Sequence, residues 1–243
     1  RTVNTDQGLI NYLMRNHHST PFEMCELKVH VKLPIFVARQ WIRHRTANVN
    51  EISARYSILD REFYIPETEI LAAQNKDLKQ GRSDEPINEE QALFVQELLR
   101  TDASRAYDNY EILLNTDSSG EIIDEDKDGI ARELARMNLS LNFYTQWYWK
   151  IDLHNLLGFL ALRTDSHAQY EIRVYADLLL EVVKLWVPLV YNSFAKYRVG
   201  GIGLSAAGKE AIKRMLQGQQ VTREDVGMSA GEWRELLADF EIT

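Results

Sequence analysis

The chain has 243 residues and a mass of 28.2 kDa, enough for one large domain or a domain with a small appendage, and 45% hydrophobic residues suit a packed globular protein. Its formal charge of −8 argues against a general nucleic-acid binder, which needs many phosphate contacts, but allows one nucleotide in a local cationic pocket. The single cysteine, Cys25, rules out an intrachain disulfide and a Cys-based zinc cluster, and makes a reducing, cytoplasmic location the expectation. No run of about 18 uncharged apolar residues favours a membrane span. The best candidate, residues 178–191, is broken by Glu181, Lys184 and Pro188. Arg1-Thr2-Val3-Asn4 resembles no signal peptide and lacks an initiator Met, so the first residues of the gene product are expected to be missing.

In chain order, residues 6–16 predict a helix, with Leu9, Ile10, Leu13 and Met14 at helical spacing, broken at 17–22. Leu27, Val29, Val31 and Leu33 alternate with Lys28, His30 and Lys32 as a half-buried strand. Pro34 suits the first turn of a helix over 35–44, on which Gln40, Arg43 and His44 share one face. A short strand at 62–65, a polar loop at 76–86 and a long helix at 87–114 follow. Residues 115–129 read as a solvated acidic loop. The chain from 130 to about 196 predicts almost continuous helix with a break at 164–166. Gly200, Gly201 and Gly203 mark a boundary within 197–204, dividing a domain at 1–199 from a helical extension at 200–243. In that extension Thr222-x-x-Asp225 and Ser229-x-x-Glu232 are helix-start signals.

The densest chemistry lies at residues 39–55, where Arg39, Arg43, Arg45 and Arg55 are interleaved with Gln40, His44, Asn48, Asn50, Glu51 and Ser53, without any Lys. Planar guanidinium forks match phosphate and carboxylate two bonds at a time, so this pattern points to a pocket for a small multiply charged ligand. A solvated basic face would mix in Lys. A second informative region begins with Phe143, Tyr144, Trp147, Tyr148 and Trp149, five aromatics in seven residues. They read as core or subunit interface, with a stacking surface for a flat ring as the sharper alternative. Asp152, Asn155, Phe159 and Arg163 fall near one helical stripe, and an Arg there needs an acceptor or anion if buried. Ser166-x-x-Gln169 reads as a cap for the next helix.

Other motifs fail. Asp124-x-Asp126-x-Asp128-Gly129 opens like an EF-hand, but its twelfth position is Ala135 rather than a bidentate Glu. Gly201-x-Gly203-x-x-Ala206 has the letters of a dinucleotide fingerprint without the strand before it. None of the six histidines forms His-x-x-x-His, so no metal site is expected. Spacing alone leaves a Ser-His-Asp or Cys-His triad open. Glu23 and Glu26 flank Cys25 and oppose thiolate formation, which favours a buried strand residue over a nucleophile.

Arg43-His44-Arg45, seven residues and Ser53 reproduce the signature of the flavin-dependent thymidylate synthases. The surrounding blocks agree: 18–22, 34–40, Tyr56-Ser57, 141–145 and 162–169, in order over about 7–199. The resemblance implies an α+β fold, a central antiparallel sheet with flanking long helices, in a homotetramer whose active sites are shared between subunits. It implies FAD held without a Rossmann domain, and reductive methylation of dUMP to dTMP. Methylenetetrahydrofolate would supply the carbon and NADPH, through FAD, the hydride, with no cysteine nucleophile. By position, Thr20, Arg43, His44, Arg45 and Glu51 match family contacts to FAD, Asn50 adjoins them, and Asp152 and His154 fall where a second segment approaches the flavin. Gln40, Arg43, Glu51, Ser53, Arg55, Arg136 and Arg163 match the dUMP site, with Arg163 as the residue that polarises the uracil. Gly158 departs from the usual Asn or His, His154 stands where some members have Arg, and family members usually carry further N-terminal residues. The rival readings are a non-catalytic nucleotide- or RNA-binding module, which the acidic charge disfavours, and a flavoprotein of the same fold with other chemistry.

Overall fold

The structure is a computed structural model that describes residues 2–76 and 81–242. Its elements are α1 (Val3–Arg15), α2 (Thr20–Glu23), β1 (Glu26–Pro34), α3 (Ile35–Trp41), β2 (Asn48–Glu51), β3 (Ala72–Gln74), β4 (Arg82–Pro86), α4 (Glu89–Leu114) and α5 (Arg132–Ala135). There follow β5 (Tyr144–Asp152), α6 (Leu153–Arg163), α7 (Tyr170–Trp186), α8 (Pro188–Phe194), α9 (Ala206–Leu216), α10 (Arg223–Val226) and α11 (Ala230–Asp239). They gather into two compact units, one of His18–Trp186 and one of Arg1–His17 with Val187–Thr243.

The larger unit is organised by a three-stranded antiparallel sheet in the order β1-β5-β2. Its central strand lies inside the stretch expected to be helical, which corrects that expectation. The reason is a period of two: Thr145, Trp147, Trp149 and Ile151 are buried, while Gln146, Tyr148 and Lys150 point the other way. Aromatic and β-branched residues fit such a pleated, half-buried surface. The register sets Val31 opposite Trp147 and His30 opposite Tyr148, so the predicted alternation of β1 is continued across the sheet.

On the buried side Trp41 of α3 meets Trp147, Trp149 and Tyr175 edge-on, with ring centroids 5.9, 5.1 and 5.8 Å away, and lies 4.9 Å from Phe159 of α6. This cluster clamps α3 and α6 to the sheet. The helix α3 ends at Trp41 rather than residue 44. After Ile42 bonds back to Ala38, Arg43 and His44 close tighter three-residue turns onto Gln40 and Trp41, and the chain then swings out to form β2. The short strand expected at 62–65 is reduced to one bridge, Phe63 to Phe143. The loop expected at 76–86 instead contributes β4, paired with β3, and its residues 77–80 lie outside the described residues. Cys25 is half-buried just before β1 rather than within it.

Asn88 caps α4 through a bond from the Gln91 N–H, and Asn115 ends it in a left-handed conformation at φ 53. A second core forms around Tyr107 and Tyr110 of α4, with Tyr107 stacked on Phe143 at 5.7 Å. The Tyr107 hydroxyl donates to Leu59 O at 2.6 Å, which ties down the chain leaving the Arg-rich stretch.

In the other unit, Gln7 of α1 donates to Leu189 O and Ser193 Oγ of α8 at 3.0 and 2.9 Å, and Ser193 donates to Asn11 at 2.6 Å. These bonds draw the start of the chain into the same unit as residues from 187 onward, whereas the sequence placed the division at 199. The helices α9–α11 close on Ala211, Met228 and Leu236. Both predicted start signals act there: Thr222 and Asp225 form a capping box, and Ser229 Oγ accepts from Glu232 N at 3.2 Å.

Because Trp41 is 1% exposed and touches four aromatic rings, Trp41→Ala is expected to destabilise the protein by about 3–5 kcal/mol. Tyr148→Ala on the opposite face should cost about 1 kcal/mol or less. Urea unfolding at one fixed protein concentration measures both.

Candidate functional site

Arg163, the last residue of α6, reaches back to the Arg-rich stretch, where its Nε donates to His44 Nε2 at 3.1 Å. Only an unprotonated Nε2 can accept that bond, so His44 is neutral with its proton on Nδ1. The ring stands edge-on to Phe159 at 4.8 Å. Burial, and then the Arg163 charge, push the His44 pKa below its ordinary 6.5. The Arg163 pKa is lowered as well, by burial and then by Arg43. One guanidinium thus faces a neutral imidazole, and a second, that of Arg43, lies near enough to Arg163 to oppose its charge. Arg39, Arg43 and Arg45 are exposed and make no ion pair among the described residues. Such a group of cations suits an anionic ligand.

The strand β2 divides the rest of the stretch between the two faces of the sheet. Glu51 lies opposite Trp147, on the same face as Thr145, whose hydroxyl donates to Glu51 Oε1 at 2.6 Å. Asn50 lies opposite Tyr148 on the other face. There Tyr148 stacks on His30 at 4.7 Å beside a shallow hollow lined by Lys28, Asn48 and Lys150. Of the residues matched to FAD, Asn50 and Glu51 therefore point to opposite faces of the sheet. Thr20 is exposed at the first position of α2. Asp152 caps α6, taking bonds from the Asn155 N–H at 2.9 Å and the Asn155 side chain at 2.8 Å, and the half-buried His154 follows it. At Gly158 an added Cβ would meet nothing within 4 Å, so packing does not demand glycine there.

Among the residues matched to dUMP, Gln40 donates to Gln169, which in turn donates to Glu171 at 2.8 Å. Gln169 thus forms a bridge beside the residues matched to dUMP, whereas the sequence offered it as a helix cap and as the end of the family block 162–169 without a role of its own. Glu171 also accepts from Tyr64 at 3.4 Å. Burial first, then the Glu171 charge, push the Tyr64 hydroxyl well above its ordinary pKa. Ser53 Oγ accepts from Arg55 N at 3.3 Å, and Arg55 pairs with Glu133 at 2.8 Å. Both members of that pair are about half exposed, so it contributes at most about 1 kcal/mol and yields readily to a better anion. Arg136 is half-buried in a single helical turn after α5. Gln169 and Glu133 carried no spacing signal that could assign them here, since both arrive from distant segments. Among the described residues, no three His, Cys, Asp or Glu side chains gather as a metal site. No helix among them is long and apolar enough to cross a membrane.

The fold and this cation-rich centre belong to a class of nucleotide-modifying enzymes. Residues 1–189 match the family described as "Thymidylate synthase complementing protein". The flavin-dependent thymidylate synthase of Rickettsia conorii is 58% identical over 240 residues, covering 99% of this chain and 82% of that protein. That of Ruegeria pomeroyi is 60% identical over 235 residues, covering 97% and 75%. Among solved structures, a UMP/dUMP methylase from Streptomyces cacaoi bound with 5-Br dUMP aligns with a TM-score of 0.70 at 30% identity, over 82% of each chain. The chain belongs to the flavin-dependent thymidylate synthase family.

The His44 geometry has a testable sign. Its lowered pKa means that folding favours the neutral ring, so acid below about 6.5 works against the His44–Arg163 bond. Titration of the ring by NMR should give a midpoint below that of a free histidine. Arg163→Ala should raise the midpoint without fully restoring it, because burial remains the larger cause. A wild-type midpoint above 6.5 would contradict this arrangement.

Proposed function

We propose that the chain catalyses reductive methylation of dUMP at carbon five to give dTMP, with FAD as its flavin. Methylenetetrahydrofolate would donate the carbon and NADPH the reducing equivalents, and a flavin held by this chain would supply the hydride chemistry that links them. The observation that carries this reading is Arg163, aimed by a neutral His44 and lying at the edge of an unpaired Arg cluster. Family membership and the likeness to a dUMP methylase support it.

The residues present fit two anionic ligands. Ser53, Arg55 and Arg136 would hold the nucleotide phosphate, with Glu133 released from Arg55. Gln40 and Arg43 would meet the nucleotide, and Arg163 would stabilise negative charge developing on the uracil ring. His44 keeps the Arg163 Nε occupied and leaves the terminal guanidinium N–H groups for a ligand. Thr20, Arg43, His44, Arg45, Asn50 and Glu51, with Asp152 and His154, would hold FAD. Asn50 and Glu51 point to opposite faces of the sheet, which suits a site shared among copies of the chain, and we read the working form as a homotetramer acting in the cytoplasm. The core is taken as residues 1–199. No role is assigned to 200–243.

The purified protein should be yellow with bound flavin and should release tritium from dUMP labelled at carbon five when folate donor and reductant are supplied. Arg163→Ala should retain flavin while dTMP formation falls by about 100-fold or more. Absence of flavin, or normal turnover in the variant, would overturn the assignment.

A further inference from the structure

A second cleft opens beside the dUMP residues. It lies between the β3–β4 hairpin and the segment 166–173, and its volume of about 790 Å³ would admit a sizeable small molecule. None of the residues matched to FAD lines it, and neither do Ser53, Arg55, Arg136 or Arg163. It is joined to them through Gln169, which lines the cleft and accepts from Gln40.

Its cationic character comes from two arginines around one ring. The Arg82 guanidinium lies 4.9 Å from the centroid of Tyr170, and that of Arg173 lies 6.0 Å from it. Arg82 gives one N–H to Ile70 O at 3.0 Å, and Arg173 gives one to Ser166 O at 2.9 Å. Backbone carbonyls orient both groups without neutralising them, and neither forms an ion pair among the described residues. Each guanidinium has five N–H donors, so most remain for a ligand. Of the carboxylates in the cleft, Glu171 already accepts on both oxygens, from Tyr64 and Gln169. Those donors are neutral and orient Glu171 without cancelling its charge, so Glu171 and Asp84 on the hairpin both oppose an incoming anion, and Asp84 is the one not held by these bonds.

We propose that this cleft holds the anionic tail of a second small-molecule substrate, a phosphate or carboxylate group on an extended chain whose reacting end meets the dUMP site past Gln169. The inference rests on the methylation reading, which supplies two substrates of that chemistry: a nicotinamide dinucleotide with phosphates and a folate with glutamyl carboxylates. Paired guanidiniums suit either anion, and the Tyr170 ring centroid lies within about 6 Å of both.

The test uses the flavin-loaded full-length protein with Arg82→Met, Arg173→Met and Asp84→Asn. Equilibrium dialysis with NADP+ reads the phosphate source, and the KM for methylenetetrahydrofolate bearing one or four glutamates reads the carboxylate source. The Met variants are expected to weaken one of these at least tenfold, with flavin content and dUMP affinity unchanged. Asp84→Asn should strengthen the same one, a gain that misfolding cannot produce. A loss confined to NADP+ assigns the phosphates, and a loss growing with glutamate number assigns the carboxylates. Wild-type protein that releases tritium from dUMP, with all three variants within twofold for both probes, overturns the cleft proposal. Wild-type protein without tritium release would instead overturn the methylation reading.

Discussion

The larger unit depends on one strand having two different sides. On β5, Trp147 and Trp149 are 2% and 1% exposed, while Tyr148 between them is 52% exposed. The indoles anchor α3, which carries Gln40, and α6, which carries Arg163 to its bond with His44. The same strand pairs with β2 and thereby decides which side each residue of the Arg-rich stretch occupies. A one-residue slip in that pairing would exchange Glu51 and Asn50 between faces. Register here is a determinant of chemistry as well as of packing.

The electrostatic counterpart is a local excess of cations in an acidic chain. Most acidic residues lie elsewhere or are already engaged, as Glu133 is with Arg55 and Glu171 is with Tyr64 and Gln169. The centre can therefore attract anions although the net charge is −8. Holding guanidiniums close together costs energy in the free chain, and the lowered pKa of Arg163 reflects that burial and crowding. In the proposed reaction the same arrangement would strengthen the response to charge that develops on a bound base.

Much of this was legible in the residues. The strand β1, the long helix α4 and the caps at Thr222 and Ser229 each follow a local rule, a period or a hydrogen-bonding side chain, and each is found. The strand β5 is hidden in the sequence because its clustered aromatics fall on both faces of the strand and blur the alternation that Thr145, Trp147, Trp149 and Ile151 carry. The strand β2 has no apolar period at all: Asn48-Val49-Asn50-Glu51 is an exposed edge, held by its neighbour rather than by its own sequence. At the site, residue types exposed the Arg-rich stretch, and the ordered blocks of the family supplied Arg163. The Gln40–Gln169 bridge, the Arg55–Glu133 pair and the cleft at Tyr170 were illegible because their partners are brought together only by tertiary folding.

The account turns on Arg163 being held ready for the nucleotide base while Ser53, Arg55 and Arg136 receive the phosphate. A crystal structure of the flavin-loaded protein with dUMP tests this most directly. The predicted result is a uracil within hydrogen-bond reach of the Arg163 guanidinium, the His44 bond retained, and the phosphate on Arg55 in place of Glu133. A nucleotide seated instead over Tyr148 and Lys150 on the open face of the sheet, with Arg163 untouched, would contradict it.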